Sequence, residues 1–343
     1  MHVVKIVSDS TAFQGWRVVK LYPVDSSYLS SFKKTNDIII DFGEHVTGYY
    51  SFSLRAARGT ADAPLRLRFT FGEVPAEVVT PFDPYPGSLS RAWLQDEVVT
   101  VTELPATITI QRRVAFRFVK IELVAISSHY DVAFSGMQCR ATTSVKTKPA
   151  LLAGTASSII KDIDKTGLAT LKECMQTVYE HGPKRDRRLW IGHMYLESLA
   201  NTWSYKNNKL TKRCLYLRAG LSTPEGYLVS NIFESPAPHA EIGAPFLFEY
   251  SLLYNVALKD YFIATHDKAT ALELWPLAKK QMDNPKKYLT ADGMFDYAAA
   301  KKAGWWLFID WNSILDREAA LQGLIILYHE ANLWAGKIIR PRK

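Results

Sequence analysis

The hydrophobic period of the chain changes once, near residue 150, and that single change requires two unlike halves. Between about residue 35 and 145, β-rich runs occupy 37–42, 49–54, 65–71, 97–102, 107–111, 116–124 and 130–134. Their apolar residues alternate or run continuously, and turns rich in Gly, Pro, Asp and Ser separate them, the pattern of an antiparallel β-sandwich. The segment Thr80-Pro81-Phe82-Asp83-Pro84-Tyr85-Pro86-Gly87 reads as a surface loop, because three prolines remove ladder donors. Beyond it Ile159, Ile160, Ile163, Leu168, Leu171 and Met175 follow helical spacing. Further helices are predicted over 193–206, 210–219, 244–266, 270–283 and 317–335. The expected fold class is multidomain, β then α. A β-sandwich domain at 1–148 is expected to lead into an all-α domain at 149–343, with helix pairs suited to a ring or stack of α-hairpins.

Composition narrows the function classes. Hydrophobic residues at 48% and charged residues at 22% describe a soluble chain able to bury a core, and no apolar run approaches the roughly 20 residues of a membrane span. The N-terminal Met1-His2-Val3-Val4-Lys5-Ile6-Val7-Ser8-Asp9 lacks a secretory apolar stretch, so a cytoplasmic location is expected. Cys139, Cys174 and Cys214 stand far apart and are odd in number, which predicts free thiols. The net charge of +8 sits in scattered pieces, such as Lys33-Lys34, Arg112-Arg113 and the terminal Arg340-Pro341-Arg342-Lys343, and predicts solvated surface with no nucleic-acid or membrane partner. Phosphate-loop, dinucleotide-binding, serine-elbow and zinc-protease motifs are missing, so no cofactor is expected.

The densest polar stretch is His181-Gly182-Pro183-Lys184-Arg185-Asp186-Arg187-Arg188-Leu189-Trp190-Ile191-Gly192-His193. Asp186 could protonate a leaving oxygen, or could equally form a structural ion pair with Arg185 or Arg188. His181 and His193 have no third ligand at metal spacing, so no metal is expected. A second constellation, Gly304-Trp305-Trp306-Leu307-Phe308-Ile309-Asp310-Trp311-Asn312, sets Asp310 in an aromatic run, where an acid costs energy unless paired or functional. Seven of the nine tryptophans fall in the helical half; indole faces stack on sugars and carboxylates bind hydroxyls, although Trp305, Trp306 and Trp334 could equally be core. Glu241, in a loop ahead of a helix, could sit simply at the helix N-terminus.

The segment 182–192, GPKRDRRLWIG, resembles the signature loop of the α-L-rhamnosidases of glycoside hydrolase family 78. Asp41-Phe42-Gly43-Glu44-His45-Val46-Thr47-Gly48-Tyr49 resembles the start of that family's β-sandwich, and 69–74, 116–121 and 306–311 resemble later parts of it. The resemblance runs from about residue 35 to the end. It implies a β-sandwich followed by an (α/α)6 toroid, of which this chain is expected to hold only part, and hydrolysis of terminal α-L-rhamnosides with inversion. It also implies that Asp186 lies near the general acid, with Arg185, Trp190, His181, His193 and Trp311 contacting sugar and Asp310 or Glu241 as further acids. This chain departs from the family where acids normally open and close the loop, at His181 and His193, and where a Glu follows the Asp, at Arg187. An imidazole donates and accepts hydrogen bonds but supplies no fixed negative charge. The alternative reading is therefore a catalytically degenerate carbohydrate-binding or scaffold relative. A partial toroid would leave apolar helix faces open, which implies a homo-oligomer.

Overall fold

The computed structural model describes residues 1–24, 37–149, 152, 154–241, 247–283, 285–312 and 314–339. The Lys33-Lys34 pair, the terminal basic cluster and the first residues of the expected 244–266 helix lie outside them. The chain forms two compact units, Met1–Thr142 with Pro183–Asp186, and Thr143–Gly182 with Arg187–Lys343.

The first unit contains β1 (His2–Ser8), β2 (Trp16–Pro23), β3 (Asp37–Arg58), β4 (Leu65–Gly72), α1 (Pro75–Val79), β5 (Gln95–Val101), β6 (Ala106–Thr109), β7 (Val114–Ala125) and β8 (Asp131–Ala141). All strand pairs are antiparallel, in the order β2-β1-β3-β7-β4-β5, with β6 and β8 also on β3. The 22-residue β3 is what joins the layers. Its first half pairs with β1 and β7 and its second half with β6 and β8. Phe52 of the second half meets Phe69 of β4 with ring centroids 4.7 Å apart, and Tyr50, Phe71 and Phe116 complete a fully buried aromatic centre. The runs 37–42 and 49–54, read as separate strands, are thus one strand, bent by a bulge where the register shifts between Asp41 and Val46. The strands β1 and β2 were not expected. β2 is largely exposed, so its residues carry no two-fold burial pattern to read.

The bulge holds an ion pair in which the carboxylate is buried and the guanidinium partly exposed. Asp41 accepts hydrogen bonds from Arg117 Nε (2.8 Å), Arg117 Nη2 (2.9 Å) and the Gly43 amide (2.8 Å). Burial alone would raise the Asp41 pKa, but the Arg117 and Gly43 bonds outweigh it and hold it below the ordinary 3.8. A depressed folded pKa gives stability that is complete above the ordinary value and is lost as pH falls through the folded one. Asp41→Asn should therefore cost about 1–3 kcal/mol near neutral pH and lessen the acid sensitivity of unfolding, measured by urea denaturation at several pH values.

The second unit contains α2 (Ser158–Cys174), β9 (Leu189–Trp190), α3 (Ile191–Trp203), α4 (Asn208–Gly220), β10 (Asn231–Phe233), β11 (His239–Ala240), α5 (Phe248–Thr265), α6 (Lys268–Lys280), α7 (Tyr297–Lys302) and α8 (Arg317–Ile339). It is helical but not all-α: β11-β10-β9 form a small antiparallel sheet whose strands are too short to show a period. Asn207, Asp267 and Asp296 cap α4, α6 and α7 by accepting amide hydrogen bonds. α5 is buried on nearly every side, among Leu252, Tyr254, Val256 and Leu258, and so lacks an amphipathic stripe. No helix among the described residues is long and apolar enough to cross a membrane.

Candidate active site

The polar loop is divided between the two units. His181 and Arg188 form an isolated antiparallel bridge, with the His181 amide donating to the Arg188 carbonyl at 3.1 Å. Between them the chain makes an excursion whose turning residues Gly182 and Arg187 both take positive φ, 68° and 54°. Glycine accepts that conformation freely, whereas Arg187 holds it at a cost of about 1 kcal/mol.

Within the first unit, Lys184 Nζ pairs with Glu77 and lies 3.7 Å from Glu73, and its carbonyl accepts from Gln95 Nε2 at 3.0 Å. Burial would raise the Glu73 pKa, but the His45 hydrogen bond and the nearby Lys184 charge leave it lowered. Arg185 stacks its guanidinium over Trp93, 5.1 Å from the ring centre. Asp186 is nearly buried, with Arg185 Nε 3.5 Å from its Oδ1. That separation is well beyond the 2.7–2.9 Å of a charge-assisted hydrogen bond, and Oδ1 has no hydrogen-bond partner among the described residues. Of the two structural partners considered for Asp186, Arg188 is committed elsewhere, to Glu241, and the contact with Arg185 is loose. A buried carboxylate oxygen left unsatisfied is one available to a ligand.

Within the second unit, His181 and His193 stack with ring centroids 3.6 Å apart. Burial, and then the neighbouring His181, lower the His193 pKa to about 4, so that imidazole is neutral at pH 7. The Tyr250 ring stands edge-on to both His193 (6.3 Å) and Trp190 (6.4 Å). Tyr250 fits because Gly192 has no side chain: a Cβ there would lie 2.6 Å from the tyrosine ring. Trp190 Nε1 and His193 Nδ1 are buried and lack hydrogen-bond partners among the described residues. An indole, a phenol and two imidazoles, with polar atoms left over, form an aromatic cluster able to stack on a sugar and bond its hydroxyls.

Glu241 does not sit at a helix N-terminus. It follows β11, accepts from Asn231 Nδ2 at 2.6 Å, and faces Arg188 Nη1 at 3.3 Å. Arg188 in turn covers the Phe233 ring at 4.4 Å, so Glu241 fixes Arg188 beside the small sheet. Asp310 is exposed and therefore bears no burial cost; its Oδ1 caps the Trp311 amide at 2.7 Å. Trp311 is 80% exposed, whereas Trp305 packs against Phe248 and Tyr288, and Trp334 against Phe262. Among the described residues no three His, Cys, Asp or Glu side chains gather as a metal site.

Tyr250, Asn231 and Glu249 are positions that sequence reasoning missed, since each lies in or beside an apolar run. Glu249 is buried, accepts from the Phe308 amide at 3.0 Å, and is pushed up to about 8 by that burial, the backbone hydrogen bonds opposing it. A raised folded pKa gives stability that is full below the ordinary carboxyl value and lost as pH rises toward 8. Glu249→Gln, a neutral isostere, should remove about 2–4 kcal/mol of the stability difference between about pH 5 and pH 9, read by urea denaturation.

Residues 1–141 match the glycosyl hydrolase family 78 alpha-rhamnosidase N-terminal domain. The structure of a rhamnosidase from Klebsiella oxytoca with rhamnose bound is 36% identical, with a TM-score of 0.91 over 99% of this chain and 65% of that chain. This chain is a relative of the family 78 α-L-rhamnosidases. The family 78 rhamnosidase of Bacillus sp. GL1 (17% identity, TM-score 0.64, 88% of this chain and 30% of that one) shares the fold. So does the α-L-rhamnosidase of Dictyoglumus thermophilum (14%, 0.57, 94% and 36%). No curated protein sequence matches. The family 78 arrangement accounts for the β-sandwich followed by a helical domain, and the chain spans 65% of the Klebsiella oxytoca protein's length.

Proposed function

We propose that this chain, with 1–148 as its sandwich domain and 149–343 as its helical domain, carries a site that cleaves terminal α-L-rhamnosyl residues from glycosides with inversion. The observation that carries the reading is the cluster of Trp190, Tyr250, His181 and His193, in which Trp190 Nε1 and His193 Nδ1 lack partners among the described residues, in a relative of a protein solved with rhamnose bound. Inversion requires a carboxylic acid on one side of the glycosidic oxygen and a basic carboxylate about 6.5–9.5 Å away with water between them. Asp186 is the acid of this reading, Arg185 and Trp190 position the sugar, and Trp311 offers an exposed indole. Asp310 and Glu241 are the further candidate acids of this reading, Glu241 acting through its hold on Arg188.

A second reading, carbohydrate binding without turnover, is favoured by the two stacked imidazoles: neither supplies the fixed negative charge that stabilises an oxocarbenium ion. Incubating the purified chain with a chromogenic aryl α-L-rhamnoside separates the two. Release of the aglycone above background supports the hydrolase, and saturable binding without release supports the second reading. Ile159, Ile160 and Ile163, 65%, 49% and 62% exposed on α2, favour a homo-oligomer that covers this row. Sedimentation of a single species at the monomer mass would refute that association.

A further inference from the structure

The second unit has a cleft of about 890 Å³ apart from the aromatic cluster, lined by the segment 143–147 on one wall and by the α3–α4 turn with the start of α4 on the other. Its size falls within the range of small-molecule sites. The walls are tied together. Asn207 Nδ2 donates to the carbonyl and hydroxyl oxygens of Ser144, both at 3.1 Å, and Thr147 Oγ1 donates to the Tyr205 carbonyl at 2.9 Å. The turn is held from beneath by Asn201, which is fully buried. Its carbonyl accepts from the Lys206 amide at 2.7 Å and its Oδ1 from the Asn207 amide at 2.9 Å. That clamp keeps Lys206 at φ 56°, a left-handed conformation that costs a lysine energy and that places its side chain on the rim of the cleft.

The charge of the cleft is one-sided. Lys146, Lys206, Lys209 and Arg213 line it, and among the described residues no carboxylate does. Arg213 is answered by Glu234 at 2.6 Å, but the three lysines have no ion-pair partner among the described residues. The cleft thus gathers three uncompensated cations around one preformed concavity. They repel one another until an anion joins them.

We propose that this cleft binds an anionic sugar-sized ligand, its phosphate or carboxylate held by Lys146, Lys206 and Lys209 and its hydroxyls by the side chain of Asn208. Calorimetric titration of the purified chain at low salt with glucose 6-phosphate, glucuronate and glucose tests this and separates the two anionic groups. Saturable binding of either anion, about tenfold or more tighter than glucose and weakened at about 0.5 M salt, is the expected result. Binding of only one anion identifies the group. The Lys146→Ala/Lys206→Ala/Lys209→Ala variant, whose substitutions are all at exposed positions, should keep the wild-type thermal midpoint to within a few degrees and lose that binding. Lys206→Gly, which relieves the left-handed strain, should fold at least as well and bind more weakly. Equal affinity for glucose and the anions, no saturable binding of either anion, or undiminished binding by the triple variant would overturn the proposal.

Discussion

Gly48→Ala is expected to destabilise the protein by about 3 kcal/mol or more, with a matching fall in its denaturation midpoint. Gly48 pairs with Val114 on one side and Ala141 on the other. A Cβ there would lie 2.3 Å from the Arg140 carbonyl oxygen and 2.8 Å from Cys139 Sγ. The contacted oxygen is backbone, so β3 and β8 would have to part where β3 passes from one layer to the other. Gly43 is the control. It takes φ 88° but has no atom within 4 Å of an added Cβ, so Gly43→Ala carries only backbone strain of about 1–2 kcal/mol. Equal costs at the two positions would show that close packing against β8 is not what selects glycine at 48.

Asp186→Asn should lower rhamnoside hydrolysis by about a hundredfold or more while leaving the unfolding midpoint nearly unchanged. The asparagine keeps the shape but has no acidic proton to give to a leaving oxygen. The stability side follows from geometry: Arg185 is half-exposed and 3.5 Å away, and a pair that loose is worth at most about 1 kcal/mol. A large stability loss with activity retained would assign Asp186 to structure instead.

Much of the architecture was legible because period is set by burial. The alternation in 65–71 and 116–124 became β4 and β7, whose inward residues Leu67, Phe69 and Ile121 are fully buried. The helical spacing of Leu168, Leu171 and Met175 reached the second core. Most elements that escaped notice, β1 excepted, share one of two physical reasons. β9, β10, β11 and α7 are too short to complete a readable period, and β2 presents most of its residues to solvent. Resemblance to family 78 picked out the loop 182–192, but not how its residues are divided. Lys184, Arg185 and Asp186 belong to one unit, and Trp190 and His193 to the other. Partnerships were the least visible part. No spacing in sequence links Arg188 to Glu241, 53 positions apart, or shows that Gly192 is small so that Tyr250 can stand against Trp190 and His193.

Calorimetric titration of the chain with L-rhamnose beside Trp190→Ala tests directly whether the cluster of Trp190, Tyr250 and His193 holds a sugar. Saturable binding by the wild type, weakened about tenfold or more in a variant that remains folded, is the predicted result. Absence of rhamnose binding by the wild type, or binding that the folded variant keeps in full, would contradict it.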